Sequence, residues 1–142
     1  MKKIKGDLIV DIGKSNIKFT VFSKKTGEVL KKKIYRNNYL IKSKKYKEID
    51  HKKILKLIER NIVNSNKLFD LSSILPITHG SVFFLLNREK KVLRCISDES
   101  NFGKKFDLIF QKNIKKTKNS YSPTLDYCHN LSKSLFYVKK EE

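Results

Sequence analysis

The chain has 142 residues, 39% of them hydrophobic and 33% charged, a length that suits one domain with a modest core and a pattern of recurring apolar runs that excludes wholesale disorder. A formal net charge of +19 would favour polyanions, but lysines run along the whole chain and arginine stands only at Arg36, Arg60, Arg88 and Arg94, so a compositional skew accounts for it better than a nucleic-acid surface. No apolar stretch approaches the length that crosses a bilayer, and the charged start from Met1 to Asp7 does not read as a signal peptide, so the expected location is cytoplasmic.

Leu8, Ile9 and Val10 form a short apolar run bounded by turn signals, which predicts a strand buried on both faces and ending on Asp11. Gly13-Lys14-Ser15-Asn16 supplies a tight connection, and Ile17, Phe19 and Val21 alternate with Lys18 and Thr20 at the period of a half-buried strand. Thr26-Gly27 marks a second turn before Val29-Leu30 and Ile34-Tyr35, so Asp7 to Tyr35 is read as three consecutive antiparallel strands. The first hairpin carries the chemistry. A glycine lets backbone approach a ligand closely, and successive N–H groups in a tight turn make a concavity that suits phosphate. Lys14, Ser15 and Asn16 add donors, and a carboxylate on the preceding strand is placed to hold magnesium through water. Asp11 with Gly13 thus reads as a nucleotide-phosphate site.

Asn37 to Glu48 has no clear period and is read as a connection of undetermined form, and the lysines from Lys42 to Lys53 as a solvated face. Asp50 is the predicted N-cap of a helix over about 51–64, with Ile54, Leu57, Ile58 and Ile62 on one face and Asn64-Ser65-Asn66 ending it. Strands follow at Ser72 to Ile77, Val82 to Leu86 and Val92 to Ile96, the last two joined by a turn at Asn87 to Lys91. Polar residues at the carboxyl end of a strand face the ligand crevice of an open α/β sheet, which puts Thr78, His79 and Gly80 on the side of Asp11. Phe106, Leu108, Ile109 and Phe110 predict a short helix, and Asn130, Leu131, Leu135, Phe136 and Val138 a C-terminal one over about 128–138. Cys95 and Cys128 have no metal-ligand spacing, and Cys128 beside His129 is no ligand pair.

Three ordered blocks carry a family likeness. Asp11-Ile12-Gly13-Lys14-Ser15-Asn16-Ile17-Lys18, with Phe22 and Thr26-Gly27-Glu28-Val29-Leu30, resembles the N-terminal phosphate hairpin of FGGY carbohydrate kinases, on the rhamnulokinase and fuculokinase side of that family. Ile77-Thr78-His79-Gly80-Ser81-Val82 with Leu85-Leu86-Asn87 and Lys90-Lys91-Val92-Leu93 is similar to the same kinases. So is Ser122-Pro123-Thr124-Leu125 with Asn130-Leu131 and Leu135-Phe136-Tyr137.

The resemblance implies an α/β fold of the ribonuclease H-like, actin-like ATPase class, with a mixed sheet that opens on three antiparallel strands and is flanked by helices, incomplete relative to the family. It implies ATP and Mg2+ as cofactors and a sugar hydroxyl as phosphoryl acceptor. Asp11 would organise magnesium through water, Gly13, Lys14, Ser15 and Asn16 would face the phosphates, and Thr78, His79 and Gly80 would contact the sugar. His79 is expected to bond a hydroxyl, since in the family a carboxylate takes the proton. Those kinases are several-fold longer, and their catalytic Asp would fall beyond Glu142. The chain alone is therefore expected to be inactive, as a fragment or as a half that pairs with a C-terminal kinase half or with itself. The alternative from another class is a small basic nucleic-acid-binding module. A ribonuclease H-type nuclease ranks last, because Asp11 has no partner carboxylates.

Overall fold

The computed structural model describes residues 2–42, 47–80, 82–97 and 100–113. In chain order its elements are β1 (Lys5–Ile12), β2 (Asn16–Ser23), β3 (Val29–Arg36), β4 (Leu40–Lys42), β5 (Lys47–Ile49), α1 (His51–Leu68), β6 (Asp70–Thr78), β7 (Phe83–Leu86), β8 (Val92–Ile96) and α2 (Lys104–Asn113). They fall into two packed units. One takes the chain up to Tyr39 together with Asp50–Gly80, and the other takes Leu40–Ile49 and the described residues after Ser81.

The first unit is a four-stranded mixed sheet in the order β3-β2-β1-β6 with α1, and between β3 and β6 the chain passes through β4 and β5 of the second unit and then through α1. Antiparallel pairing of β1 with β2 and of β2 with β3 realises the predicted meander, and β6 then joins β1 in parallel. The parallel partner requires the crossover that α1 provides. Alternation assigns the faces. Leu8 pairs with Val21 and Val10 with Phe19, and all four are buried, as is Ile17 opposite Ile12. Burying each such side chain contributes about 1.5–3 kcal/mol, which makes this face the main stabilising surface of the unit. Ile9, expected to be buried, is only half-buried. It points to the other face, while Asn61, Asn64 and Ser65 of α1 line one small cavity with Phe19 and Val21, the partners of Val10 and Leu8, so the helix covers that side.

α1 begins where its cap predicts and ends later than expected. Asp50 Oδ1 accepts the Lys53 N–H at 3.1 Å, while its other oxygen pairs with Lys53 Nζ at 3.1 Å. The helix continues through Asn64-Ser65-Asn66 to Leu68, because its buried positions are Ile54, Leu57, Asn61 and Ser65. Two of the four are polar, which is why an apolar period cannot find the last turns. Asn61 is satisfied in place: its Nδ2 donates to the Leu57 carbonyl at 2.8 Å, and its Oδ1 accepts from the Tyr35 hydroxyl of β3 at 3.0 Å. Tyr35 also meets Phe19 edge to face at 5.8 Å. The helix is thereby fixed to the sheet at a part-buried polar contact as well as an apolar one.

The cap has a pH signature. The Lys53 backbone N–H, followed by its ammonium, holds the Asp50 carboxyl below its ordinary value. A lowered folded pKa gives stability that is present above the unfolded value of about 3.9 and lost as pH falls through the folded one. Asp50→Ala is expected to cost about 1 kcal/mol at neutral pH. Urea unfolding followed by circular dichroism should show the gap between wild type and variant closing at acid pH, below the ordinary carboxylate range.

The second unit has its own four-stranded antiparallel sheet in the order β4-β5-β8-β7, with α2. β4 and β5 lie in the stretch read as an undetermined connection. Strands of three residues are too short to show a period. Residues 72–96, the strands that the family resemblance puts on the sugar side, divide between the two sheets, with β6 in the first and β7 and β8 in the second. The β7–β8 turn closes through Asn87, whose side-chain oxygen accepts the Lys91 N–H at 2.8 Å while Lys90 takes a positive φ of 61°. Cys95 and Ile96 of β8 are buried with Ser97, Ser100 and Phe110. Burial, with the Glu48 charge, pushes the Cys95 thiol up to about 11, so it stays protonated and unreactive at neutral pH. The block from Ser122 to Tyr137, the helix expected over about 128–138 and Cys128 lie outside the described residues.

Candidate functional site

The carboxyl ends of β1 and β6 lie side by side in the first unit. Parallel register sets Asp11 beside Ile77 and Ile12 beside Thr78, and the His79 N–H extends the ladder to the Ile12 carbonyl at 3.2 Å. Neighbouring strands run about 4.8 Å apart. The Gly13–Asn16 turn and the Thr78–Gly80 loop therefore emerge from adjacent strands at the same end of the sheet.

Asp11 alternates with Val10 and Ile12, so it stands on the sheet face away from α1. Its side chain is 35% exposed, and Lys18 Nζ approaches Oδ2 at 3.0 Å. Asp11 and Lys18 are direct cross-strand partners. A half-exposed pair contributes at most about 1 kcal/mol. Its larger effect is orientation, since the other oxygen, Oδ1, lies 3.9 Å from where a Cβ on Gly13 would stand. Residue type alone gives Lys18 no role in the turn. Hairpin arithmetic could have found it: a turn closed between Gly13 and Asn16 sets position 12 against 17 and 11 against 18.

The turn itself is closed by the Gly13 N–H, which donates to the Asn16 carbonyl at 2.9 Å. That donor is spent inside the turn. Gly13 is required by space, because a Cβ would come within 2.9 Å of the same Asn16 oxygen. Lys14, Ser15 and Asn16 are exposed. Two further bonds hold the turn from the end of β3. Asn37 Nδ2 donates to the Gly13 carbonyl at 2.8 Å, and the Asn37 N–H donates to the Ser15 carbonyl at 2.8 Å. Sequence reasoning missed Asn37, since nothing local ties it to a turn more than twenty residues away.

On the neighbouring loop, Thr78 and Gly80 are exposed and His79 is half-buried. The Thr78 hydroxyl donates to the His79 carbonyl at 3.2 Å, and His79 Nδ1 lies 2.9 Å from the Gly80 carbonyl. A carbonyl only accepts, so Nδ1 carries the proton, and in the neutral ring Nε2 is then an acceptor. Such a ring can receive a hydrogen bond from a hydroxyl. Among the described residues no group of three or more His, Cys, Asp or Glu could hold a metal ion. Asp11 is a lone carboxylate with one oxygen engaged by Lys18. It fits magnesium as a water-mediated contact, with ligand phosphates supplying the other oxygens, and does not fit a metal site made by protein alone.

Among the described residues no helix is long and apolar enough to cross a membrane. No family model matches the sequence. No curated protein matches it either. Among solved structures the chain is similar to a carbohydrate kinase from Novosphingobium aromaticivorans, with a TM-score of 0.80 at 12% sequence identity, over 100% of this chain and 30% of that one. The chain thus spans less than a third of that protein's length. At such low identity the likeness is one of fold: a mixed α/β chain similar in architecture to part of a carbohydrate kinase.

Proposed function

We propose that the chain is the N-terminal part of an ATP-dependent carbohydrate kinase of FGGY type, in which the Gly13–Asn16 turn receives nucleotide phosphates and the Thr78–Gly80 loop meets a sugar. The observation that carries this is the juxtaposition of the two loops at the carboxyl ends of parallel neighbours β1 and β6, in a fold similar to a carbohydrate kinase. The ribonuclease H-like assignment is supported by the strand order β3-β2-β1-β6, with three antiparallel strands, a helix and then a parallel return.

In this reading Lys14, Ser15 and Asn16 surround the phosphates with donors, and Lys18 stands behind them on Asp11. Asp11 would hold magnesium through water, and the metal, when bound, would neutralise phosphate charge during transfer. Thr78 and Gly80 would approach the sugar, with His79 Nε2 accepting from a hydroxyl. A catalytic carboxylate and an adenosine site would come from the larger protein. These 142 residues are then expected to bind magnesium nucleotide weakly and to transfer no phosphoryl group.

Calorimetric titration with MgADP, beside a coupled ADP-release assay over a panel of sugars, tests both halves. Weak binding that disappears on chelating magnesium, with no turnover, is the expected result. Turnover by the purified chain would refute the claim of incompleteness. Binding indifferent to magnesium and to Asp11→Ala would sink the assignment of the turn.

A further inference from the structure

The glycine that the turn requires brings a liability. With no side chain at Gly13, the Gly13–Lys14 peptide is the one in the hairpin that rotates most freely. Peptide groups are planar and trans, so a carbonyl and the N–H that follows it point in opposite directions. A rotated peptide would present an oxygen where phosphate is to meet an N–H, turning attraction into repulsion.

Asn37 removes that freedom. Its amide takes the Gly13 carbonyl and its backbone N–H takes the Ser15 carbonyl, each at 2.8 Å. Two carbonyls of one turn are thereby drawn toward a single residue. Planarity then directs the N–H groups of Lys14 and Asn16 away from it. Asn37 follows β3 directly, and β3 is held to β2 with Asn16 opposite Arg36, so the residue that makes these bonds is anchored in the sheet. It is half-buried, and its contacts are made to backbone. Resting on the phosphate reading of this hairpin, we infer that Asn37 is a positioning residue for the polyphosphate end of a nucleotide, acting through the Gly13 and Ser15 carbonyls and touching no nucleotide itself.

The role depends on the side chain being a donor, which separates it from simple packing. Asn37→Asp keeps the shape but offers a carboxylate, which cannot donate to the Gly13 carbonyl. Asn37→Ala keeps only the backbone bond to Ser15. Asn37→Gln keeps an amide at a longer reach.

MgADP is titrated into wild type and the three variants at a temperature where all are folded, and amide hydrogen exchange is followed in the ligand-free proteins. Asn37→Ala and Asn37→Asp are expected to bind about three- to tenfold more weakly, the equivalent of one lost hydrogen bond. Asn37→Gln should recover part of the loss. Exchange should quicken at the turn amides while those of β1 and β6 keep wild-type rates. Unchanged affinity in the Ala and Asp variants overturns the positioning role and leaves the phosphate reading standing. Failure of the wild type to bind MgADP overturns the phosphate reading, and this inference with it. If Asn37→Ala does not fold, the shape-preserving Asn37→Asp decides the question.

Discussion

Leu8→Ala is expected to lower the unfolding free energy of the first unit by about 2–5 kcal/mol, a large share of the roughly 5–15 kcal/mol that holds an ordinary domain together. Leu8 is 0% exposed and lies on β1, the strand flanked by β2 on one side and β6 on the other. Its cross-strand neighbours are Val21 and Ile74, and it faces the side that α1 covers. Truncation there leaves a cavity that two paired strands cannot close without breaking their ladders. Ile9→Ala is the control, one residue away on the half-buried face, and should cost clearly less. Urea unfolding monitored by circular dichroism separates the two. Equal losses would show that the two faces of β1 do not differ in packing.

Gly13→Val is expected to cost about 1–3 kcal/mol and to bring MgADP binding below detection. The stability loss follows from geometry alone. A Cβ at position 13 would stand 2.9 Å from the Asn16 carbonyl oxygen, a backbone atom of the opposing strand that cannot rotate away. The turn must open, loosening the bond from the Gly13 N–H and the one from Asn37 Nδ2 together. The binding loss rests on the proposed phosphate role. Two other glycines serve as controls for two different reasons. A Cβ at Gly80 meets nothing within 4 Å, so Gly80→Ala should leave stability unchanged. Gly27 has an open surround but a φ of 73°, so Gly27→Ala should pay only about 1 kcal/mol of backbone strain. Thermal unfolding of the three variants, with MgADP titration of each, checks the ranking. A Gly13→Val protein that bound MgADP like wild type would remove the turn from the nucleotide site.

The first unit was legible because its information is local. Period-two alternation from Ile17 to Val21, turn residues at Gly13 and Gly27, and a cap at Asp50 each express their structure within a few residues. The end of α1 was not legible, because Asn61 and Ser65 are buried through a bond to Tyr35 and through packing, and neither signal is apolar. The division of residues 72–96 between two sheets was hidden for a related reason. Strand pairing is a choice among partners, and β8 finds β5, a three-residue strand with no pattern of its own.

The same distinction applies to the site. A carboxylate at a strand end, a glycine turn and a later polar loop can be read along the chain, since these depend on residue type and order. Folding adds that Lys18 pairs with Oδ2 of Asp11, that the Gly13 N–H closes its own turn, and that Asn37 holds the turn's carbonyls. Those are relations between residues brought together by sheet register, and register is fixed by the burial of a whole face. No single stretch of the chain encodes it.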